Sequence, residues 1–132
     1  MTDIETLIQY RSRQADETIT EAETLFRGKC SARSIVNRTY YAIFYAINAL
    51  LLKEGIALKT SKHIGIISLF DKEVMHTGKI DKRFSDIVHR QFEMRQKSDY
   101  KELVEISMDK AEIAIREARE FVAVIKEIID KE

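Results

Sequence analysis

Five successive segments of the chain carry apolar residues at steps of three and four, and no proline interrupts any of them. This spacing places the apolar side chains on one face of an α-helix, whereas a half-buried strand would show strict alternation. Proline removes a backbone hydrogen bond and clashes with the preceding turn, so its absence leaves long helices unbroken. The sequence therefore predicts an all-α fold.

Gly28, Gly55 and Gly78 lie between these segments, at places where glycine commonly ends a helix. Hydroxyl residues that can cap a helix start precede the second and third segments: Ser31 or Ser34, and Thr60 or Ser61. We predict helices over about residues 3–26, 31–54, 60–77 and 81–99, and from about 101 onwards. On the third helix the expected buried residues are Ile64, Ile67, Phe70 and Val74.

Five amphipathic helices with short connections pack most simply as an antiparallel bundle, and 132 residues fit a single domain over 1–132. Cys30 has no second cysteine to pair with, which fits a reducing compartment. No basic and apolar leader precedes the first helix, and the longest apolar run falls short of the ~20 residues that cross a bilayer. We expect a cytoplasmic protein without a membrane partner.

The net charge is zero, yet residues 27–63 hold seven basic side chains and one acidic side chain. The first 26 residues and the last helix are acidic. A basic centre attracts phosphate groups, because the local field matters more than the total charge. Packing of the acidic helices against the basic ones would explain the same pattern.

The second helix contains three alanines at steps of three and four, where a plain core helix would have leucine: Ala42, Ala46 and Ala49. These small residues predict a close approach of a neighbouring helix. The same helix carries four rings that are spread around its circumference: Tyr40, Tyr41, Phe44 and Tyr45. One explanation is that the rings fill the core and the tyrosine hydroxyls bond to Asn37 or Arg38. The other explanation is that the rings meet a second subunit. We predict a homodimer with Tyr41 or Tyr45 at the subunit contact.

The second helix also contains the pattern Ser34-x-x-Asn37-Arg38-x-Tyr40-Tyr41-Ala42-x-Phe44-x-Ala46. This pattern resembles the second-helix signature of HEPN domains, and specifically of the small prokaryotic UPF0332 type. Three further segments are similar in order and spacing: 59–70 (KTSKHIGIISLF), 76–84 (HTGKIDKRF) and 92–100 (FEMRQKSDY). The resemblance implies a dimeric helical bundle. Many members are metal-independent ribonucleases or toxins, often paired with a minimal nucleotidyltransferase antitoxin.

The active site that the resemblance implies is an arginine followed after four to six residues by a histidine, in a cleft between two copies. Here Arg95 occupies the arginine position, but Asp99 and Tyr100 follow it and no histidine does. Arginine holds phosphate with two N–H groups. Tyrosine is a poor base at neutral pH and aspartate a poor acid, so neither replaces a histidine in both roles. Arg95, Asp99 and Tyr100 are the candidate catalytic residues.

Arg38, Asn37, Tyr41 and Lys97 are the candidate nucleotide- or RNA-binding residues, since the two cations add positive field near Arg95. Arg95 and Asp99 are four residues apart, so they could also form a simple surface ion pair. In some relatives the partner transfers adenylyl groups to a tyrosine near the motif, a position that Tyr100 would occupy here.

The spacing of the remaining histidines does not indicate a catalytic role for them. His89 follows Arg83 at the motif spacing but lies within the apolar pattern of the fourth helix, so we predict that it is a surface residue. His63 and His76 lack the spacing of metal ligands, and no metal or cofactor is predicted. Three hypotheses follow: a dimeric module that binds nucleotide or RNA phosphate beside a nucleotidyltransferase, a metal-independent endoribonuclease, and a scaffold without activity.

Overall fold

A computed structural model describes residues 2–58, 62–100 and 105–131 of the chain. It contains five α-helices that pack together: α1 (Asp3–Arg27), α2 (Ala32–Lys53), α3 (His63–Glu73), α4 (Arg83–Tyr100) and α5 (Met108–Lys131). A short 3₁₀ helix, Met75–Thr77, follows α3. The described ranges contain no strand, so the predicted all-α bundle of five helices is confirmed. None of the described helices combines the length and apolar character that a bilayer crossing requires.

Helix α2 is the centre of the bundle and packs against α1, α3, α4 and α5. More than half of its residues are buried, including Ile43, Ile47 and Leu50, whose side chains are fully inaccessible. Burial of an aliphatic side chain of this size contributes roughly 1.5–3 kcal/mol. The predicted alanine stripe is buried along its whole length. Because these side chains are small, the neighbouring helices can approach α2 closely. The tyrosines of α2 can therefore reach residues of those helices.

Caps define several helix ends. Thr2 and Glu5 form a reciprocal pair at the start of α1, in which each side chain accepts a hydrogen bond from the other's backbone N–H. Ser31 accepts the backbone N–H of Ser34 at 3.1 Å and so starts α2, as predicted. Gly28 is the C-cap residue of α1, so the prediction that it ends the first helix is confirmed. The left-handed residue is the next one, Lys29, with φ of 56°.

Two sequence predictions are wrong. Helix α5 does not begin near residue 101, since residues 105–107 are not helical and α5 starts at Met108. Ser107 caps it by accepting the backbone N–H of Lys110 at 3.2 Å. On α3 the predicted core residue Ile64 is 63% exposed, and Ile66 is buried beside Ile67 instead.

The third helix also begins later than predicted. Its first residue is His63, and the predicted capping residues Thr60 and Ser61 lie outside the described residues. Lys62 occupies the N-cap position, and its side chain makes no capping hydrogen bond. This start places the imidazole of His63 beside α2.

Replacement of a buried alanine of α2 should expose the cost of overpacking. We expect Ala46→Leu to lower the free energy of unfolding by about 1–3 kcal/mol, because an added isobutyl group has no space between closely packed helices. Urea denaturation measures the change. Ala123→Leu on the exposed face of α5 is the matched control and should leave stability within about 0.5 kcal/mol. Equal effects of the two substitutions would contradict the close-packing role.

Candidate functional site

Arg95 of α4 lies over two tyrosine rings of α2. Its ζ carbon is 5.3 Å from the ring centroid of Tyr40 and 5.4 Å from that of Tyr41. Only 16% of the side chain is exposed, and Nη2 donates a long hydrogen bond, 3.5 Å, to the Tyr41 hydroxyl oxygen. A guanidinium over an aromatic face gains about 0.5–2 kcal/mol, with the larger values where water is excluded. The side chain is therefore held in place rather than extended into solvent.

Asp99, one turn after Arg95, supplies the nearest negative charge. Its Oδ2 atom lies 3.0 Å from Arg95 Nε, and its Oδ1 atom lies 3.7 Å from Arg33 Nε. The i,i+4 pair that the sequence suggested is formed, but it is largely buried rather than exposed. Although the charges are close, the buried Nε–H of Arg95 makes no hydrogen bond of acceptable geometry to any described residue. Arg95 thus keeps hydrogen-bonding capacity beyond its contact with Asp99.

A histidine enters the site from α3, although none follows Arg95 in sequence. His63 Nδ1 lies 2.7 Å from the Tyr40 hydroxyl oxygen, and its ring stacks on Phe44 with centroids 4.1 Å apart. The His63 centroid is also 5.5 Å from that of Tyr41. Arg95 and His63 therefore contact the same two tyrosines. We call Tyr40, Tyr41, His63, Arg95 and Asp99 the Arg95 cluster.

The environment moves two pKa values in this cluster. Burial raises the pKa of Tyr40 well above its ordinary value, and the nearby Arg95 offsets only part of this effect. Burial lowers the pKa of His63, and the positive charge of Arg95 lowers it further. Tyr40 is therefore a protonated phenol at any physiological pH, and His63 is a neutral imidazole at pH 7.

The hydrogen bond between Tyr40 and His63 fixes the tautomer of the imidazole. Tyr40 is fully buried, and Nδ1 of His63 is the only hydrogen-bond partner of its hydroxyl among the described residues. A buried O–H without an acceptor costs about 1–3 kcal/mol, so the Tyr40 hydroxyl is the donor of this hydrogen bond and Nδ1 is the acceptor. Neutral His63 then carries its own proton on Nε2. The ring offers a donor at Nε2, and its one lone pair, at Nδ1, is engaged by the Tyr40 hydroxyl.

Arg38 and Asn37 form the rim of the cluster. Asn37 Oδ1 accepts hydrogen bonds from Nε and Nη2 of Arg38, at 3.1 and 2.8 Å. The Arg38 guanidinium lies 5.2 Å from the Tyr41 ring centroid, so Tyr41 has an arginine on two sides. The rim encloses an open cavity of about 420 Å³ lined by Leu25, Arg33, Ser34, Asn37, Arg38 and Asp99.

The structure therefore brings together five of the predicted site residues: Asn37, Arg38, Tyr41, Arg95 and Asp99. The suggestion that Asn37 or Arg38 would satisfy the tyrosine hydroxyls is wrong. His63 and Arg95 do so instead, because each reaches α2 from a neighbouring helix.

Lys97 is not part of this arrangement. It pairs with Glu93 at 3.2 Å and lines a separate cavity of about 400 Å³ between α4 and α5, beside Met94, Ile106 and Ile113. Tyr100 is the last residue of α4, and its side chain lies outside the described residues.

The other histidines lie apart from the cluster. The side chain of His89 is 54% exposed, and Nε2 lies 2.5 Å from Asp71 Oδ2 of α3. Its predicted surface position is confirmed. His76 is exposed in the 3₁₀ helix. Among the residues with described positions, no three of the types His, Cys, Asp and Glu are grouped as metal ligands would be.

The effect of the Arg95 charge on the pKa of His63 should be measurable. We expect Arg95→Gln to raise the pKa of the His63 imidazole toward its ordinary value, because one of the two causes of its depression is removed. NMR titration of the imidazole Cε1–H signals measures this. The His89 signal in the same spectra is the control and should not respond to the substitution. An unmoved His63 pKa would show that the two side chains do not interact.

The depressed pKa of His63 also determines how the stability of the fold changes with pH. The unfolded chain binds the His63 proton more readily than the fold does, so this group removes stability as pH falls below about 6.5.

The comparisons with known proteins agree on one family. The model of the HEPN domain matches residues 8–128. A UPF0332 protein of Thermotoga maritima is 38% identical over 130 residues, which cover 98% of this chain and 96% of that protein. A Methanocaldococcus jannaschii protein named as a putative toxin is 35% identical over 127 residues, 96% of this chain and 92% of its own.

A second protein of that organism, also named as a putative toxin, is 30% identical over 108 residues, 82% of this chain and 71% of its own. These matches extend over nearly the whole bundle and include the three helices that build the Arg95 cluster. The resemblance seen in the second-helix pattern is thereby confirmed, and the chain belongs to the HEPN domain family.

Proposed function

We propose that this protein is a toxin-like HEPN module that binds nucleotide or RNA phosphate through Arg95, as a homodimer in the cytoplasm. The observation that carries the proposal is the guanidinium held over Tyr40 and Tyr41, whose five N–H groups exceed those that face Asp99 and the Tyr41 hydroxyl. The names of the two archaeal relatives support the toxin-like role.

Phosphate recognition follows from the electrostatics of the cluster. Arg33 and Arg95 both face the carboxylate of Asp99. Arg38 lines the same cavity as Asp99, and Glu21 lies 3.7 Å from Arg38. Positive charge therefore exceeds negative charge around the cavity. A phosphodiester oxygen that accepts the N–H groups of Arg95 gains charge-assisted hydrogen bonds, each contributing about 1.5–3 kcal/mol.

A second copy of the chain accounts for the rings that one protomer leaves partly uncovered. Tyr41, Phe44 and Tyr45 of α2 are half-buried, although α2 is otherwise the most enclosed helix. Two copies that meet through this surface would bring both Arg95 side chains to one groove. A minimal nucleotidyltransferase is the proposed antitoxin partner, by analogy with the family.

A metal-independent endoribonuclease is the second candidate, and His63 is the observation in its favour. This histidine contacts the same tyrosines as Arg95, although it is absent from the motif position. However, the one lone pair of the neutral ring, at Nδ1, is engaged by the Tyr40 hydroxyl and is therefore not available to a ribose 2′-hydroxyl. Asp99 faces two arginines and is a poor acid. Binding is therefore proposed ahead of cleavage.

Removal of the Arg95 guanidinium should weaken RNA binding. We expect Arg95→Ala to reduce affinity for single-stranded RNA by at least about tenfold, the loss of one charge-assisted contact. The dependence of affinity on salt should also become shallower. Fluorescence anisotropy at several salt concentrations measures both. Arg116→Ala, an exposed arginine on α5, is the matched control and should change affinity little.

The same samples distinguish the three hypotheses. RNA that is bound intact supports the binding module. Cleavage that Arg95→Ala abolishes and EDTA leaves unchanged would establish the endoribonuclease instead. An absence of both binding and cleavage would leave the scaffold.

The subunit contact can be tested separately. We expect a dimer at micromolar concentration, and Tyr45→Asp should shift it toward the monomer because a carboxylate would be buried among the rings of α2. Sedimentation velocity measures the distribution. Tyr10→Asp on the exposed face of α1 is the control. A monomeric wild-type protein would contradict the dimer.

A further inference from the structure

We infer that His63 is part of the phosphate site and that phosphate binding at Arg95 is coupled to uptake of a proton by His63. This inference rests on the proposed function, and it adds a residue and a pH dependence to it. The geometric basis is the pair of tyrosines that the imidazole and the guanidinium share.

Three features favour the neutral imidazole when no anion is bound. Tyr40 donates its hydroxyl proton to Nδ1, the atom that a second proton would occupy. The guanidinium of Arg95 repels a second positive charge. His63 is also the first residue of α3, where the partial positive charge of the helix end disfavours a cation.

A phosphate oxygen bound at Arg95 favours the protonated imidazole of His63 instead of the neutral one. Its negative charge offsets that of the guanidinium and attracts an imidazolium, so the affinity of His63 for a proton rises on binding. Thermodynamic linkage then requires that lower pH strengthens phosphate binding. When Nδ1 is protonated, the Tyr40 hydroxyl oxygen accepts the hydrogen bond that the hydroxyl donated before. Its own O–H then has no acceptor among the described residues, and the attraction between phosphate and imidazolium has to exceed that cost. The imidazolium then has Nε2–H for the phosphate and Nδ1–H for Tyr40.

The other charged and titratable groups around His63 do not explain an uptake of a proton on phosphate binding. Tyr40 stays protonated because burial raises its pKa. Tyr41 completes the α2 side. Arg95, whose counter-ion is Asp99, acts on the imidazole from α4, and Lys62 precedes His63 in the chain. His63 is the member of this group whose ordinary pKa lies in the range from pH 5.5 to 8.

The decisive measurement is RNA affinity as a function of pH at constant ionic strength. The probe is a single-stranded oligouridylate with hydroxyl ends, since its phosphodiesters and uracils do not titrate between pH 5.5 and 8. We expect the wild-type protein to bind about tenfold more tightly at pH 5.5 than at pH 8, the effect of a one-unit change in the His63 pKa. Calorimetry in two buffers of different ionisation enthalpy should show net proton uptake.

His63→Asn is the test variant, because its amide oxygen can still accept the Tyr40 hydroxyl but cannot titrate. We expect it to fold, to bind more weakly than the wild-type protein, and to lose most of the pH dependence and proton uptake. His89→Gln is the matched control. It removes a histidine that lies outside the Arg95 cluster, where it contacts Asp71 of α3, and it should retain the wild-type profile. Comparison of the two variants removes the general gain of positive charge at low pH.

The outcomes separate this inference from the proposed function. If His63→Asn keeps the wild-type pH profile while Arg95→Ala still abolishes binding, the coupling is refuted and the phosphate site stands. If binding is indifferent to Arg95→Ala, or the wild-type protein does not bind the probe, the proposed function fails and the coupling fails with it. An upward shift of the His63 NMR titration on RNA addition confirms the coupling directly.

Discussion

The contact of the Arg95 guanidinium with Tyr40 and Tyr41 is the interaction around which the site is arranged. It joins α4 to the central helix, and it places a positive charge where little water reaches it. A buried charge needs a counter-ion, and Asp99 supplies one from the next turn of the same helix. Because this carboxylate also faces Arg33, the protomer balances Arg95 without neutralising the whole cavity. The site is thus stable before a ligand arrives and is still attractive to an anion.

Sequence reasoning succeeds where the interaction is local. Periodicity predicts the five helices because each one buries a single stripe, and the step of four predicts the pair of Arg95 and Asp99. The late start of α5 follows from a cap at Ser107 that an apolar pattern does not reveal. Lys97 could have been rejected from the sequence, since a residue two positions from Arg95 on a helix faces nearly the opposite way.

The role of His63 could not be predicted in this way. It reaches the cluster because α3 begins beside α2, and no spacing within the sequence encodes that placement. The expected motif histidine would have followed Arg95 on α4, whereas this one comes from another helix. The aromatic character of α2 was visible in sequence, but which of its rings meets Arg95 and which meets His63 depends on how three helices pack. Function at this site is therefore a property of tertiary structure more than of a linear motif.

One hydrogen bond decides which chemistry the cluster favours. While Tyr40 donates to Nδ1, the site presents N–H groups from Arg95 and His63, and its only carboxylate, Asp99, is held by arginines. A set rich in donors holds an anion, but cleavage by a ribose 2′-hydroxyl also needs an acceptor for its proton. If Tyr40 lost its hydroxyl, Nδ1 or Nε2 would be released as a base. The position of one proton therefore decides whether the cluster contains only donors or also a base.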